Sequence, residues 1–236
     1  LGTMLLTGPK SDLLIAKLTD EKTDNESFPW LSHKSIKLCG EDARVLKVSY
    51  AGEKGFEIHV HNNSMKKIYD ELVQHGENFN LIHFGMLALD SMRLEKNYRS
   101  WKSDLTSDYT MLQSGLEKWI KFDKGNFIGK EALKNEFDLG TSKKFVTLVV
   151  DDPEDNKPFG EPVYLSPVFA GDDYLGPIVS SGYGHRVKKS ISMAILDDRN
   201  LNGLNDQLYI DVLGRKRKAY IVNEALYDPE NLKLRS

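Results

Sequence analysis

Tyr50 and Glu57 are the two residues whose type and spacing point to chemistry. They bracket the run Tyr50-Ala51-Gly52-Glu53-Lys54-Gly55-Phe56-Glu57. Gly52 and Gly55 sit where positive φ, or close approach of backbone to a ligand, costs least. Phe56-Glu57-Ile58-His59-Val60 then alternates apolar and polar with period two, the signature of a strand with one buried face. The alternation puts Phe56, Ile58 and Val60 on one side, and Glu57 and His59 on the other. A carboxylate is thereby fixed on a rigid strand beside a glycine turn. If that face is covered, the charge needs hydrogen-bond donors, since an unpaired buried charge is costly. A flat heterocycle with adjacent N–H donors would supply them; otherwise Glu57 points at water, as most strand carboxylates do.

Other chemistry-bearing groups are weaker. His59 and His61 lie two apart, which can present two metal ligands on a strand face, but a zinc site needs a third ligand and outer support. Arg215-Lys216-Arg217-Lys218 reads as a solvated hairpin tip rather than a phosphate grip. Asp151-Asp152-Pro153-Glu154-Asp155 lacks the ligand spacing of an EF-hand. Tyr98, Trp101 and Tyr109 fall in an irregular stretch, where they can wall a flat ligand or pack under a loop. No G-x-G-x-x-G, phosphate-loop or G-x-S-x-G pattern is present.

The elements that must position these groups follow from periodicity. Strands are expected at Gly2–Leu6, read as buried, at Ser35–Cys39, and at Ala43–Tyr50, the last two paired around Gly40-Glu41-Asp42. A short helix around Leu13, Leu14, Ala16 and Leu18 starts near Pro9 and Asp12. A second helix, Ser64–Gly76, presents Met65, Ile68, Tyr69, Leu72 and Val73, with Gly76 as its stop. A third, Phe84–Lys96, would use Leu87, Ala88, Met92 and Leu94 as its core side. Gly115–Phe122 contains a short alternating strand, and Lys130–Phe137 a helix. From about residue 141 the helical pattern stops. Strands are expected at Lys144–Val150, Pro162–Leu165, Ile178–Ser181, Ile191–Leu196, Gln207–Val212 and Lys216–Val222, which implies a small antiparallel barrel or sandwich. The domain boundary therefore falls at about residue 141, dividing 1–140 from 141–236.

Bulk properties bound the rest. The chain has 236 residues, 40% hydrophobic and 28% charged, with net charge −3. It is an ordinary globular composition, with no reason to expect nucleic acid or an anionic membrane. Cys39 is the only cysteine, so no intrachain disulfide forms, and a reducing compartment is the expectation. The start, Leu1-Gly2-Thr3-Met4-Leu5-Leu6, reads as a strand entered midway, as in a fragment of a longer protein.

Three segments together resemble one family. They are Ser49–Glu57, then Met92-Arg93-Leu94-Glu95-Lys96, then Leu112-Gln113-Ser114-Gly115-Leu116 running on to Lys121-Phe122-Asp123-Lys124-Gly125-Asn126-Phe127-Ile128-Gly129-Lys130-Glu131-Ala132-Leu133. Their order and spacing look like the glycine-cleavage T-protein (aminomethyltransferase) family. The variant Arg93-Leu94-Glu95-Lys96-Asn97-Tyr98-Arg99-Ser100-Trp101 looks closer to the folate-binding region of dimethylglycine and sarcosine dehydrogenases. The resemblance implies an α+β fold: a partial mixed α/β folate-binding domain with ferredoxin-like halves, then a C-terminal antiparallel β-barrel. It implies tetrahydrofolate as cofactor, with Tyr50, Glu57 and Trp101 as its contacts. A carboxylate at Glu57 can accept two hydrogen bonds from the amino-pyrimidinone edge of a pterin. Arg93 and Glu95 match the family motif and are read as a structural pair. Leu89 stands where the T-protein has an arginine, and Lys102 where it has a glycine after an aromatic.

The family's catalytic aspartate lies upstream of Leu1, so no catalytic residue is expected in this stretch. An upstream flavin domain carrying FAD is expected in the same longer chain, with an N-methyl amine as co-substrate. The implied activity is capture of a methylene from an oxidised N-methyl amine as 5,10-methylenetetrahydrofolate. Alternatives are a stand-alone aminomethyltransferase, a folate-dependent demethylase, or a non-catalytic binding domain of the same fold. The expected location is cytoplasmic, with the mitochondrial matrix as alternative, and neither membrane nor nucleic acid is an expected partner.

Overall fold

The computed structural model describes residues 1–151, 160–198, 201 and 208–236. The chain divides into two compact units, Leu1–Lys96 with Tyr227–Ser236, and Asn97–Leu226.

The first unit is built on a four-stranded antiparallel sheet. Its strands are β1 (Gly2–Thr7), β2 (His33–Leu38), β3 (Glu41–Leu46) and β4 (Gly55–Val60), in the order β1-β4-β3-β2. Alternation along β4 is as the sequence implies: Phe56, Ile58 and Val60 are buried, while Glu57 and His59 are partly exposed. Leu38, Val45, Ile58 and Phe56 join Phe28 and Ile68 in one core. Ile68 comes from α2 (Asn62–Gly76), whose apolar stripe covers that sheet face together with Leu14 and Ile15 of α1 (Ser11–Ile15). β2 and β3 turn through Cys39 (φ 52) and Gly40 (φ 82), a two-residue left-handed turn matched to strand twist. The turn thus falls at Cys39-Gly40, ahead of the expected Gly40-Glu41-Asp42.

Three expectations in this unit are corrected. β1 is an edge strand in which only Leu6 is buried, so Gly2–Leu6 is half exposed rather than buried. β3 ends at Leu46, and 47–54 is a loop rather than the end of the Ala43–Tyr50 strand. Helix α3 (Met86–Glu95) buries Arg93, Leu94 and Glu95 at its C-terminal end, whereas Leu87 is 89% exposed and Ala88 is exposed. Of the expected core side, Leu94 is buried and Met92 half-buried, so the hydrophobic spacing marks the packed face only at the C-terminal end of the helix.

The second unit is a closed antiparallel barrel of six strands: β5 (Lys143–Val150), β6 (Pro167–Ala170), β7 (Asp173–Gly184), β8 (Lys189–Asp197), β9 (Leu208–Val212) and β10 (Arg215–Val222). They close in the order β10-β5-β8-β7-β6-β9, around Val146, Leu148, Val168, Ile178, Ala194, Leu196, Ile210 and Val212. Of the two all-β alternatives, the barrel is the one formed. Pro162–Leu165 is a turn, with Leu165 at φ 69 and Val163 N donating to Ser166 Oγ. β6 begins only at Pro167. Gly115–Phe122 holds a 3-10 turn at Glu117–Trp119 instead of a strand, and Trp119 is 63% exposed, so its alternation marks no buried face. Helix α4 (Lys130–Leu139) follows Gly129 at φ 84. Gln207 and 152–155 of the acidic run lie outside the described residues.

The basic run follows the β9–β10 hairpin turn with Lys216 and Lys218 exposed, as expected of a solvated tip, but Arg217 departs from that expectation. Arg217 is 2% exposed and donates from Nε to Asp151 O (2.9 Å) and from Nη1 to Gly160 O (3.2 Å). The Lys216 ammonium lies 4.3 Å from the Tyr209 ring centroid.

Candidate functional site

Glu57 sits on the sheet face opposite the core. Its register partners are Leu5 on β1 and Leu46 on β3. Its Oε2 is 3.3 Å from His59 Nε2, and the other ring nitrogen, Nδ1, is 3.1 Å from Thr3 Oγ1. The two side chains are only about one-third exposed, 34% for Glu57 and 28% for His59. The chain Thr3–His59–Glu57 therefore fixes the carboxylate by hydrogen bonds that cross from β1 to β4. Arg44 is the register partner of His59 on β3. His59, Arg44, Leu46, Lys37 and Ser35 line a concave surface of about 1070 Å³ on this face. His61 lies past the end of β4 and caps α2, its Nδ1 accepting from Asn63 N at 3.3 Å. The His59–His61 pair is therefore divided between two local jobs. Among the described residues, no cluster of three or more His, Cys, Asp or Glu is placed to hold a metal.

Tyr50 lies in the loop 47–54 that joins β3 to β4, and this loop is held along its length. At its start, buried Lys47 donates to Asn25 Oδ1 (2.6 Å) and Thr23 O (3.4 Å), with its ammonium 5.6 Å from the Phe56 ring. Burial, and next the charge of Lys54, lower the Lys47 pKa below its ordinary value. At its end, the Lys54 carbonyl accepts from Gly8 N (2.8 Å), Ser11 Oγ (3.2 Å) and Thr7 Oγ1 (3.2 Å), and Lys54 Nζ pairs with Asp12 at 2.8 Å. A glycine-turn loop tied at both ends, next to a carboxylate on a rigid strand, suits recognition of a flat polar ligand.

Leu89 lines a separate apolar groove of about 320 Å³ with Met4, Leu6, Leu72 and Phe84. Arg93 and Glu95 are both buried, and Arg93 Nε donates to Asp90 at 2.7 Å.

In the second unit, Trp101 is 76% exposed and forms an isolated bridge with Leu105. Lys102, next along, has φ 72, a conformation that favours glycine. Lys102→Gly is accordingly expected to stabilise this unit by about 0.5–1 kcal/mol, read as a higher urea midpoint at constant slope. A lower midpoint would show the lysine side chain to matter more than the backbone. Tyr98, Trp101 and Tyr109 remain in irregular chain. Arg99 lies with its guanidinium carbon 4.2 Å from the Phe145 ring centroid, donates to Ser114 O at 2.7 Å, and has its pKa lowered by burial.

A mixed sheet-and-helix unit plus a six-stranded closed antiparallel barrel is the architecture of an aminomethyltransferase-type domain pair. The GCVT N-terminal domain matches residues 1–124, and the glycine cleavage T-protein C-terminal barrel domain matches residues 143–228. The chain belongs to the glycine cleavage T-protein family.

It is 29% identical to human mitochondrial dimethylglycine dehydrogenase over 96% of this chain and 26% of that protein. It is 30% identical to an aminomethyltransferase of Thermoanaerobacter sp. (strain X514) over 95% of this chain and 59% of that protein. Mouse mitochondrial sarcosine dehydrogenase is 26% identical over the whole chain and 26% of its own length. Among solved structures, aminomethyltransferase T from Bartonella henselae shares the fold with a TM-score of 0.79 at 19% identity, over 97% of this chain and 61% of that one. The chain thus spans about a quarter of the dehydrogenases and about three-fifths of the aminomethyltransferases.

Tyr227, within the first unit, was not signalled by the sequence, and Lys96 entered only as the end of the Met92–Lys96 segment, with no contact assigned to it. Lys96 reaches Gly52 from the end of α3 and Tyr227 reaches Glu53 from a segment far along the chain, and no local pattern announces either contact.

Proposed function

We propose that this chain is the tetrahydrofolate-binding, one-carbon-transfer portion of a dimethylglycine/sarcosine dehydrogenase-like enzyme. The observation that carries it is Glu57. It is a one-third exposed carboxylate with one oxygen at hydrogen-bonding distance from His59, flanked by Leu5 and Leu46, and preceded by the anchored Tyr50 loop. An acceptor pair on an apolar-flanked strand fits the N–H edge of an amino-pyrimidinone ring. Tyr50 would contact the same heterocycle. Trp101 is proposed as a further folate contact from the family resemblance, its exposed indole being able to stack.

In this reading 1–140 is the folate-binding part and 141–236 the barrel part. Tetrahydrofolate supplies the nucleophilic nitrogen that takes up the carbon, and a flavin-bearing upstream part would supply the oxidised N-methyl amine. The role of this chain is to bind and orient. Holding the acceptor nitrogen near the incoming carbon supplies much of such a rate gain, and exclusion of water protects the reactive carbon. Catalytic protonation is assigned to residues upstream. The dehydrogenase relatives are mitochondrial proteins, which supports a matrix location over a cytoplasmic one. Among the described residues no helix is long and apolar enough to cross a membrane.

Calorimetric titration of the full-length protein with tetrahydrofolate tests the reading. Saturable one-to-one binding is expected, and its absence would favour a non-catalytic domain of the same fold. Formation of 5,10-methylenetetrahydrofolate from sarcosine or dimethylglycine separates the dehydrogenase reading from that of a stand-alone aminomethyltransferase.

A further inference from the structure

The C-terminal segment Tyr227–Ser236 returns to the first unit and grips both ends of the loop that carries Tyr50. At the Glu53 end, Tyr227 Oη donates to Glu53 Oε1, and Tyr227 N donates to Glu95 O at 3.0 Å. Lys96, with its side chain 1% exposed, donates to Asp228 O (2.6 Å) and Asn231 Oδ1 (2.8 Å), and lies 3.5 Å from Asp228 Oδ2. Its aliphatic stem passes directly over Gly52. Gly52 has φ 80, and a Cβ there would overlap Lys96 Cγ. At the Lys47 end, the Arg235 carbonyl accepts from Asn25 Nδ2 (3.2 Å), and Asn25 Oδ1 accepts from Lys47 Nζ (2.6 Å). The Arg235 guanidinium carbon also lies over the Trp30 ring, 5.1 Å from its centroid. The short helix α5 (Leu232–Arg235) is fixed by Asp228 Oδ1, which accepts from Leu232 N at 2.9 Å, and by buried Leu234.

We propose that Tyr227, together with Lys96, is a positioning residue for ligand binding: the tail latches the Gly52-Glu53 turn and so holds Tyr50 in place. The inference rests on the reading of Tyr50 and Glu57 as folate contacts. The β1–α1 side already holds Lys54, so without the tail the loop would stay tied at its end but move at Gly52-Glu53. A loop tethered only at its two ends opens more readily at its middle, and a ligand must then order it on binding.

Tyr227→Phe in the full-length protein removes one hydroxyl and keeps the packing. Two measurements are made on it: hydrogen exchange of the 51–54 amides, and tetrahydrofolate affinity. Exchange is expected to rise at 51–54 but not in α2, and affinity to fall about fivefold, the worth of one hydrogen bond of about 1 kcal/mol. Glu53→Ala, which removes the acceptor, is expected to reproduce both effects, and the double variant to add nothing further to them, since the two residues share one contact. Leu234→Ala, which loosens the tail away from the turn, is the comparison for general destabilisation; it is expected to lower the unfolding midpoint more than Tyr227→Phe while weakening affinity less.

Unchanged exchange at 51–54 in Tyr227→Phe overturns the latch. Faster exchange with unchanged affinity overturns its positioning role. A wild-type protein with no tetrahydrofolate affinity overturns the functional reading instead, and the positioning role with it. That failure is recognisable because the exchange measurement uses no folate.

Discussion

Glu57→Ala is expected to weaken tetrahydrofolate binding by roughly ten- to a hundred-and-fiftyfold, with the fold intact. Hydrogen bonds to a charged acceptor are worth about 1.5–3 kcal/mol, and removing the carboxylate leaves the pterin N–H groups facing a site without an acceptor. The stability cost is small. Glu57 is one-third exposed, and its contact with His59 is a partly solvated pair of the kind worth about 0–1 kcal/mol. Glu57→Gln keeps one acceptor oxygen but turns an NH2 toward donor groups, so it should fall between wild type and alanine. Calorimetry reads the affinity and thermal unfolding reads the fold. Equal affinity in wild type and Glu57→Ala would remove Glu57 from the site and leave only the family fold.

Gly176→Ala is expected to be the most damaging small substitution in the barrel, costing about 3 kcal/mol or more of that unit's stability. Gly176 has φ 154, and a Cβ there would overlap the Ile195 carbonyl oxygen and sit 3.2 Å from Leu196 Cα. These are backbone atoms of a neighbouring strand, so no rotamer change relieves the clash. The position lies where the β6–β7 register shifts between Val168 and Phe169, the kind of bend that barrel closure concentrates at a glycine. Gly214→Ala is a control: it also has positive φ (82), but nothing lies near a Cβ there, so it should cost only the backbone strain, about 1 kcal/mol. Denaturant unfolding of both variants decides the matter, and equal costs would mean that β8 yields to the extra methyl group.

The legible parts of the fold were those where one face meets a core and the other meets water. Phe56-Glu57-Ile58-His59-Val60 and the α2 stripe at Ile68 and Leu72 are of this kind. Prediction failed where packing did not follow hydrophobicity. α3 leaves Leu87 in solvent and buries Arg93 and Glu95, because charged residues with partners can be interior. Glu117–Trp119 alternates yet lies in a turn, and Pro162–Leu165 is stopped by a left-handed Leu165. In the candidate site, the facing of Glu57 was readable from period two. The pairing with His59 follows from their spacing, but Thr3 enters only through β1 register. The tail contact joins Glu53 to Tyr227 across most of the chain, and nothing local in either segment encodes it.

The path of the backbone has a practical meaning for anyone dissecting this molecule. The chain leaves the first unit after Lys96 and re-enters it at Tyr227, and these crossing points touch: Tyr227 N reaches Glu95 O at 3.0 Å, and Lys96 Nζ reaches Asp228 O at 2.6 Å. Asn97–Leu226 is therefore topologically a cassette inserted into a host. Excising it and sealing the cut ends with a linker of a few glycines is expected to leave a host that unfolds cooperatively, which thermal unfolding checks. A simple C-terminal deletion, by contrast, would strip the host of the buried Leu234 and of the partners of Lys96 and Glu53, and a lower unfolding midpoint is expected.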